Sequence, residues 1–406
     1  MESIRKKISC HLSFIPQRLR DVAFWYIFSL ILPGGKRSLT RCSKISGKSI
    51  SCFSSFLKVS KVFGIELLET LAKYLASADR SPLCPGSPWK IGIIIDSTLH
   101  KRSTTKLSNS QRLTHGNGWT VGHQWTNIVL LIGRFTIPLP PIPFYTKGYC
   151  KKHKIEYKTQ NERIVDYLKK LNLKKFVGPY ADSEVVLLLD SGYDDRSIMN
   201  VIKTRNWSFI MSLKGSSTAT LDNQKNYRSV QAVFKGCFDW VTVRISSDAK
   251  RNKRKEFRVS AHHVFLNKFE SKILLMCSES RRDSQTKRKY LACSELGLPY
   301  RVLVLMYRKR WNVELFHKDV KSLLGMESVG SHGFESTYSH VLLVYAAYSM
   351  LRFTFPELSI LQAQEIFEEE YKKKDLRHIF RLSRLFGSNR KIETYCSAAL
   401  EERNAA

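Results

Sequence analysis

The chain has 406 residues, with 67 Lys and Arg against 35 Asp and Glu, a formal net charge of +32 and a pI near 9.9. Its hydrophobic content of 43 % is ample for a folded core, so the cation surplus, spread along the whole chain, points to a long polyanion as partner, with nucleic acid expected. Nine cysteines without a CxxC pair exclude a disulfide framework and a zinc cluster and fit a reducing cytosol, and the Cys150/His153 spacing has no second pair to complete a metal site.

The first 80 or so residues read as helical and basic. The apolar run Val22 to Leu32 is too short to cross a bilayer and follows Arg18, Arg20 and Asp21 without a cleavage pattern. A core helix is expected there, with no export signal and no membrane anchor. Further on, Lys36, Arg37, Arg41, Lys44 and Lys48 are interleaved with small polar residues ahead of a Phe53, Phe56, Leu57 seam. This suits a helical DNA-binding module and equally a basic packing domain. Ser81 to Pro88 reads as a linker.

From Ile91 the pattern changes to strands. The runs IGIIIDST (Ile91 to Thr98) and VVLLLDSGY (Val185 to Tyr193) are short, apolar and continuous, as in central strands buried on both faces, and each stops at an aspartate, Asp96 and Asp190. A carboxylate at the C-terminal end of such a strand stands where open α/β sheets place their sites. An Asp that only opens a turn is the plainer alternative for Asp190, and Asp182, Asp194 and Asp195 lie close by. Between the two runs come strand-like stretches from Thr120 and Phe135, a proline-rich segment from Pro138 to Pro143, and a helix over Glu162 to Leu171. A helix capped by Asp194 or Asp195 and a strand over Ser208 to Leu213 follow.

Strand-rich sequence continues from Gly215 to about Cys277, more chain than one crossover needs. Within it Val241, Val243 and Ile245 alternate with Trp240, Thr242 and Arg244. Trp240, ahead of the basic run from Lys250 to Lys255, suits stacking on a displaced base or packing under a loop. At about 100° per residue, Tyr307, Arg310, Glu314 and Lys321 fall within about 60° of one helical face, with Met306, Val313, Phe316 and Val320 opposite. Beyond lie an apolar helix over Val341 to Phe353 and a charged tail with an acidic block from Glu365 to Glu370 and a basic one from Lys372 to Lys374. Three carboxylates drawn from two strands and a helix make an oxygen-only site suited to Mg²⁺ or Mn²⁺, and two such ions can drive an in-line displacement at a phosphodiester.

The spacing Tyr307, Arg310, Glu314, Lys321 resembles the Y-R-E-K signature of the DDE transposases of bacterial insertion sequences, with Asp96 and Asp190 standing in the order expected of the first two acidic residues. The resemblance runs from about Leu32 to Leu351. It implies an α/β, RNase H-like core of mixed sheet flanked by helices. It also implies metal ligation by Asp96, Asp190 and Glu314, phosphate contacts by Tyr307, Arg310 and Lys321, and cleavage at element ends followed by joining of the 3′-hydroxyl to target DNA. The partners so implied are double-stranded DNA and, in the DNA complex, a second copy of the chain, with no membrane and no small-molecule substrate, in a bacterial cytoplasm. The expected divisions are a helical basic domain (1–80), a linker (81–90), the catalytic core (91–213 and 278–330), an inserted β-rich subdomain (214–277) and a helical C-terminal region (331–406). Two other readings share this sequence: an RNase H-like nuclease that cleaves without joining, and a DNA-binding protein with idle carboxylates.

Overall fold

The computed structural model describes residues 8–102, 107–115, 118–178, 184–221, 226–248 apart from 238, 253–282, 285–328 and 331–372. Asp182, part of the basic run that begins at Lys250, and the tail from residue 373 lie outside the described residues. The chain forms two compact units, one of Met1–Tyr74, Arg102–Ser108 and His317–Ala406, the other of Leu75–Lys101 and Asn109–Phe316.

The second unit is built on a sheet. Its strands are β1 (Ile91–Arg102), β2 (Gln111–His115), β3 (Gly118–Ile132), β4 (Phe135–Pro138), β5 (Ile142–Pro143), β6 (Val185–Leu189) and β7 (Ser208–Leu213). They continue with β8 (Thr218–Thr220), β9 (Arg228–Ser229), β10 (Val241–Asp248), β11 (Lys253–Leu266), β12 (Phe269–Arg282) and β13 (Gln285–Cys293). Among the described residues they join one sheet in the order β2-β3-β1-β6-β7-β13-β12-β11-β8-β9, with β4 and β5 on β3 and β10 on β11. β1, β6 and β7 are parallel, and from β7 through β13 to β11 every pairing is antiparallel. Val185 to Leu189 are all buried, as parallel strands covered on both faces must be, and the connection from β6 to β7 carries the helix Arg196–Thr204. This is an α/β fold with a mixed sheet flanked by helices, consistent with an RNase H-like core.

Three features depart from the sequence pattern. β1 does not stop at Asp96 but runs on to Arg102, because β3, 15 residues long, lies beside it beyond Ile94, where the pairing with β6 ends. The boundary expected at Cys277 falls inside β12, and β13 pairs with β7, so the β-rich insertion prolongs the core sheet. Val243 and Ile245 are buried as expected, whereas Val241, the first residue of β10, is 52 % exposed. The proline-rich segment is an edge: Pro138 and Pro143 sit opposite Val129 and Trp125 of β3, a position where a missing N–H removes no central ladder bond.

The first unit is helical. The helix Phe334–Thr354 is buried on all sides from Ser336 to Leu351, and the helices Gln17–Ile31 and Ile50–Val59 pack against it, burying Phe53, Phe56 and Leu57. Val22 to Leu32 is a core segment, and no helix among the described residues is long and apolar enough to cross a membrane. Part of the basic stretch serves the fold: the Arg41 guanidinium donates to the carbonyls of Leu32 and Pro33 (3.2 and 2.7 Å), and Lys48 pairs with Asp21 at 2.7 Å. Unsatisfied carbonyls at a helix C-terminus need such a donor.

Candidate active site

The parallel strands set the geometry. Ile94 of β1 stands level with Leu188 of β6, and Leu189 of β6 with Met211 of β7. Continuing these registers puts Asp96, Asp190 and Ser212 at level positions, and the Ser212 hydroxyl reaches the Asp190 carboxylate. β6 has ended at Leu189, so Asp190 is already extended backbone at the head of the short 3₁₀ turn Ser191–Tyr193. Its carboxylate accepts from the Ser191 amide and from the Ser212 hydroxyl, both at 2.8 Å, while Ser212 Oγ accepts in turn from the Ser191 N–H at 3.1 Å. Burial alone raises the Asp190 pKa, yet these two donors together with the charges of Arg310 and Lys289 hold it below the usual carboxylate range.

Neighbouring aspartates do other work. Asp195 caps the helix Arg196–Thr204 through the amides of Ser197 and Ile198 (2.8 and 3.3 Å), and Asp194 pairs with Lys268 at 3.3 Å. Asp190 is thus the member of this cluster that shares the field of Asp96.

The third carboxylate comes from the segment after β13, where the expected continuous helix is broken. The helix Tyr300–Lys309 gives way to i→i+3 bonds, with Arg310 N–H donating to Tyr307 O, Trp311 to Arg308, Val313 to Arg310 and Glu314 to Trp311 (3.0–3.2 Å). The α-helix Asn312–Lys318 then starts, and a π-helical turn covers Asp319–Leu323. The tighter turn holds Arg310 over Glu314, and Nη2 meets Oε1 at 2.5 Å. Tyr307, buried, lies with its ring 6.0 Å from the Arg310 guanidinium carbon and 5.4 Å from Lys289 Nζ. Met306, Val313, Phe316 and Val320 are fully buried, as the helical pattern requires.

Asp96 is the electrostatic centre of the group. Burial raises its carboxyl to about 6; Arg310 and the Ser97 amide pull it down, and Asp190 and Glu314 push it up. The same guanidinium acts on Asp96, Asp190 and Glu314, with Lys289 adding to it at Asp190, so two cations face three carboxylates. An oxygen-only donor set with surplus negative charge suits a hard divalent ion. Among the described residues no three His, Cys, Asp or Glu side chains stand close enough to hold an ion, and Glu314 is engaged by Arg310.

The structure brings Asp96, Asp190, Tyr307, Arg310 and Glu314 into one field. Lys321 belongs to the other unit, where its Nζ lies 3.8 Å from Glu327. Trp240 is half-buried: its indole N–H donates to Cys237 O at 2.9 Å, and the guanidinium carbons of Arg258 and Arg288 stand 5.4 and 5.8 Å from the ring.

Sequence pattern missed Ser212 and Lys289. For Ser212 a signal existed, a polar residue near the end of the third parallel strand; for Lys289, one basic residue among several on β13, there was none. Also missed was the network behind Asp96, in which Gln160 donates to Ser97 and accepts from Gln124 (3.0 Å), while Ser97 meets Thr126 and Tyr193 at 3.2 and 3.1 Å.

No curated protein matches the chain. A family model described as the transposase DDE domain matches residues 90–350, a span that includes β1 with Asp96, the Asp190 turn and the Arg310–Glu314 helix. With more than half of its length covered by that match, the chain belongs to the DDE-domain transposase family.

Proposed function

We propose that the chain is the transposase of a bacterial insertion sequence of the Y-R-E-K subgroup. It binds the ends of its element as a dimer, cleaves phosphodiester bonds there with two Mg²⁺ or Mn²⁺ ions, and joins the freed 3′-hydroxyl to target DNA. Transposases of this family generally use divalent metal ions and act on DNA. The observation that carries the reading is that Asp96 on β1 and Asp190, just past the end of the neighbouring parallel strand β6, share one electrostatic field with Glu314.

In this reading Asp96, Asp190 and Glu314 would hold the metal, Glu314 once its carboxylate is free of Arg310. Divalent ions so held would lower the pKa of an attacking hydroxyl and would neutralise the charge that builds on the phosphate. Arg310, released from Glu314, offers its planar fork to phosphate oxygens. Tyr307 and Lys289 flank that position, and Lys321 is a further contact to the phosphate backbone. Ser212 and the Ser191 amide keep Asp190 ionised and aimed. Trp240, between two arginines, stacks on a base displaced from the duplex.

The test is incubation of the purified protein with duplexes carrying its element ends and Mg²⁺, with products resolved on a denaturing gel. Nicked ends and strands joined to a second duplex are expected, and alanine at Asp96, Asp190 or Glu314 should lower cleavage by at least ~10³-fold with little change in DNA affinity. Nicking without joining would make the protein a nuclease. Binding without cleavage in either Mg²⁺ or Mn²⁺ would leave it a DNA-binding protein with idle carboxylates.

A further inference from the structure

The segment between β5 and the helix Gln160–Lys170 has a composition that stability does not explain. Its short helix, Lys147–His153, carries Lys147, Lys151 and Lys152 and is closed by Lys154 in the left-handed conformation (φ 54°), with no acidic residue before Glu156. Like charges one turn apart repel, and a left-handed lysine is strained. What holds the array together is a ladder of rings: the Arg163 guanidinium lies 4.5 Å from Tyr145, Tyr145 stacks on Tyr149 (5.5 Å, 11°), and Tyr149 stacks on His153 (4.1 Å, 26°). Below it, Asn109 fastens the entry, donating to Phe144 O and accepting from the Thr146 N–H at 2.8 and 2.9 Å.

The lysines face outward from this scaffold. Lys147, Lys151, Lys152 and Lys154 are exposed, Lys147 with its Nζ 5.4 Å from the Tyr157 ring, whereas Lys158 is engaged by Asp166 and Glu156 at 2.7 and 3.2 Å. The segment ends at Gln160, whose side-chain amide donates to Ser97, the residue after Asp96. A rigid cationic surface is therefore tied by one hydrogen bond to the strand that carries the first carboxylate.

We infer that the segment Tyr145–Lys154 is a docking surface for the phosphate backbone of duplex DNA, holding the duplex that runs on from the bond presented to Asp96 and Asp190. This rests on the function proposed above. Four lysines fixed on one small scaffold match the regular charge of a duplex, and a sequence-independent contact needs nothing more. The surface positions DNA and does not read bases.

The test compares Lys151→Ala/Lys152→Ala with Lys169→Ala/Lys170→Ala, an equal change of charge at the end of the next helix, using a fluorescently labelled duplex of random sequence titrated from 0.05 to 1 M salt. Losing two phosphate contacts should take about 1.8 units off the slope of log affinity against log salt, which makes binding at 0.15 M roughly 30-fold weaker while leaving it unchanged near 1 M. The control pair should keep most of the wild-type slope. If both pairs lose slope equally, or neither does, while the wild type binds duplex and nicks it, the surface is wrong and the transposase reading stands. Loss confined to a single-stranded probe would also overturn the duplex assignment. A wild type that neither nicks nor joins would sink the functional reading first. Should the double variant melt early, Lys151→Gln alone carries the same comparison with half the change in slope.

Discussion

Replacing Asp96 by Asn tests the electrostatics of the site without asking for catalysis. In the folded chain burial holds this carboxyl at about 6, whereas an unperturbed Asp lies near 3.9. A carboxyl raised on folding binds its proton more tightly in the native state, so its stabilising contribution is fully present below about pH 4 and is lost as the pH rises through about 6. At pH 8 the wild type carries an ionised carboxylate that the folded environment disfavours. Asn, similar in shape, does not. A shift of about two units corresponds to about 3 kcal/mol, and solvent access trims this to about 1–3 kcal/mol. For a unit of this size the melting temperature of Asp96→Asn should exceed that of the wild type by roughly 2–12 °C at pH 8 in EDTA. The gap should shrink as the pH falls and close below about pH 4. Millimolar Mg²⁺ or Mn²⁺ should raise the wild type by as much as about 2.7 kcal/mol at a hundredfold excess over its dissociation constant, and should do little for the variant. The assay is calorimetry or circular dichroism melting across pH, with and without the cation. A variant that melts below the wild type at pH 8 in EDTA would show that the Arg310 interaction outweighs burial, and that the carboxylates are not in surplus.

Two further substitutions test the frame around that group. Ser212→Ala removes the hydroxyl that donates to Asp190 at 2.8 Å and should destabilise the folded chain by about 1–2 kcal/mol at neutral pH. Because Asp190 is held below its ordinary range, its contribution is present above about pH 4 and is lost as the pH falls through its folded value. Urea unfolding should therefore show a smaller deficit at pH 3.5 than at pH 7, and the acid limb of the cleavage–pH profile should move upward. An unmoved limb would mean that Asp190 does not depend on Ser212. Gly122→Ala would set a methyl carbon 2.0 Å from the carbonyl oxygen of His100, a backbone contact that no rotamer relieves. A loss of at least ~3 kcal/mol in denaturant unfolding is expected, and a wild-type midpoint would show that β3 approaches β1 differently.

What local pattern determined here is what depends on neighbours in the chain. The apolar runs ending at Asp96 and Asp190, the buried face of Met306, Val313, Phe316 and Val320, and the Asp195 cap follow from periodicity and capping chemistry, which act over a few residues. The tertiary structure decided the rest. That Asp96 stands level with Asp190, and Asp190 with Ser212, is a matter of strand register between segments about 20 to 90 residues apart, which no local period encodes. β1 outruns Asp96 because a distant strand pairs with it. The helix that looked continuous from Tyr307 to Lys321 tightens at Arg310 and widens at Asp319, and the tight turn gives Glu314 its arginine. Residue types and their order marked the chemistry, whereas pairing between remote strands set which groups share one electrostatic field.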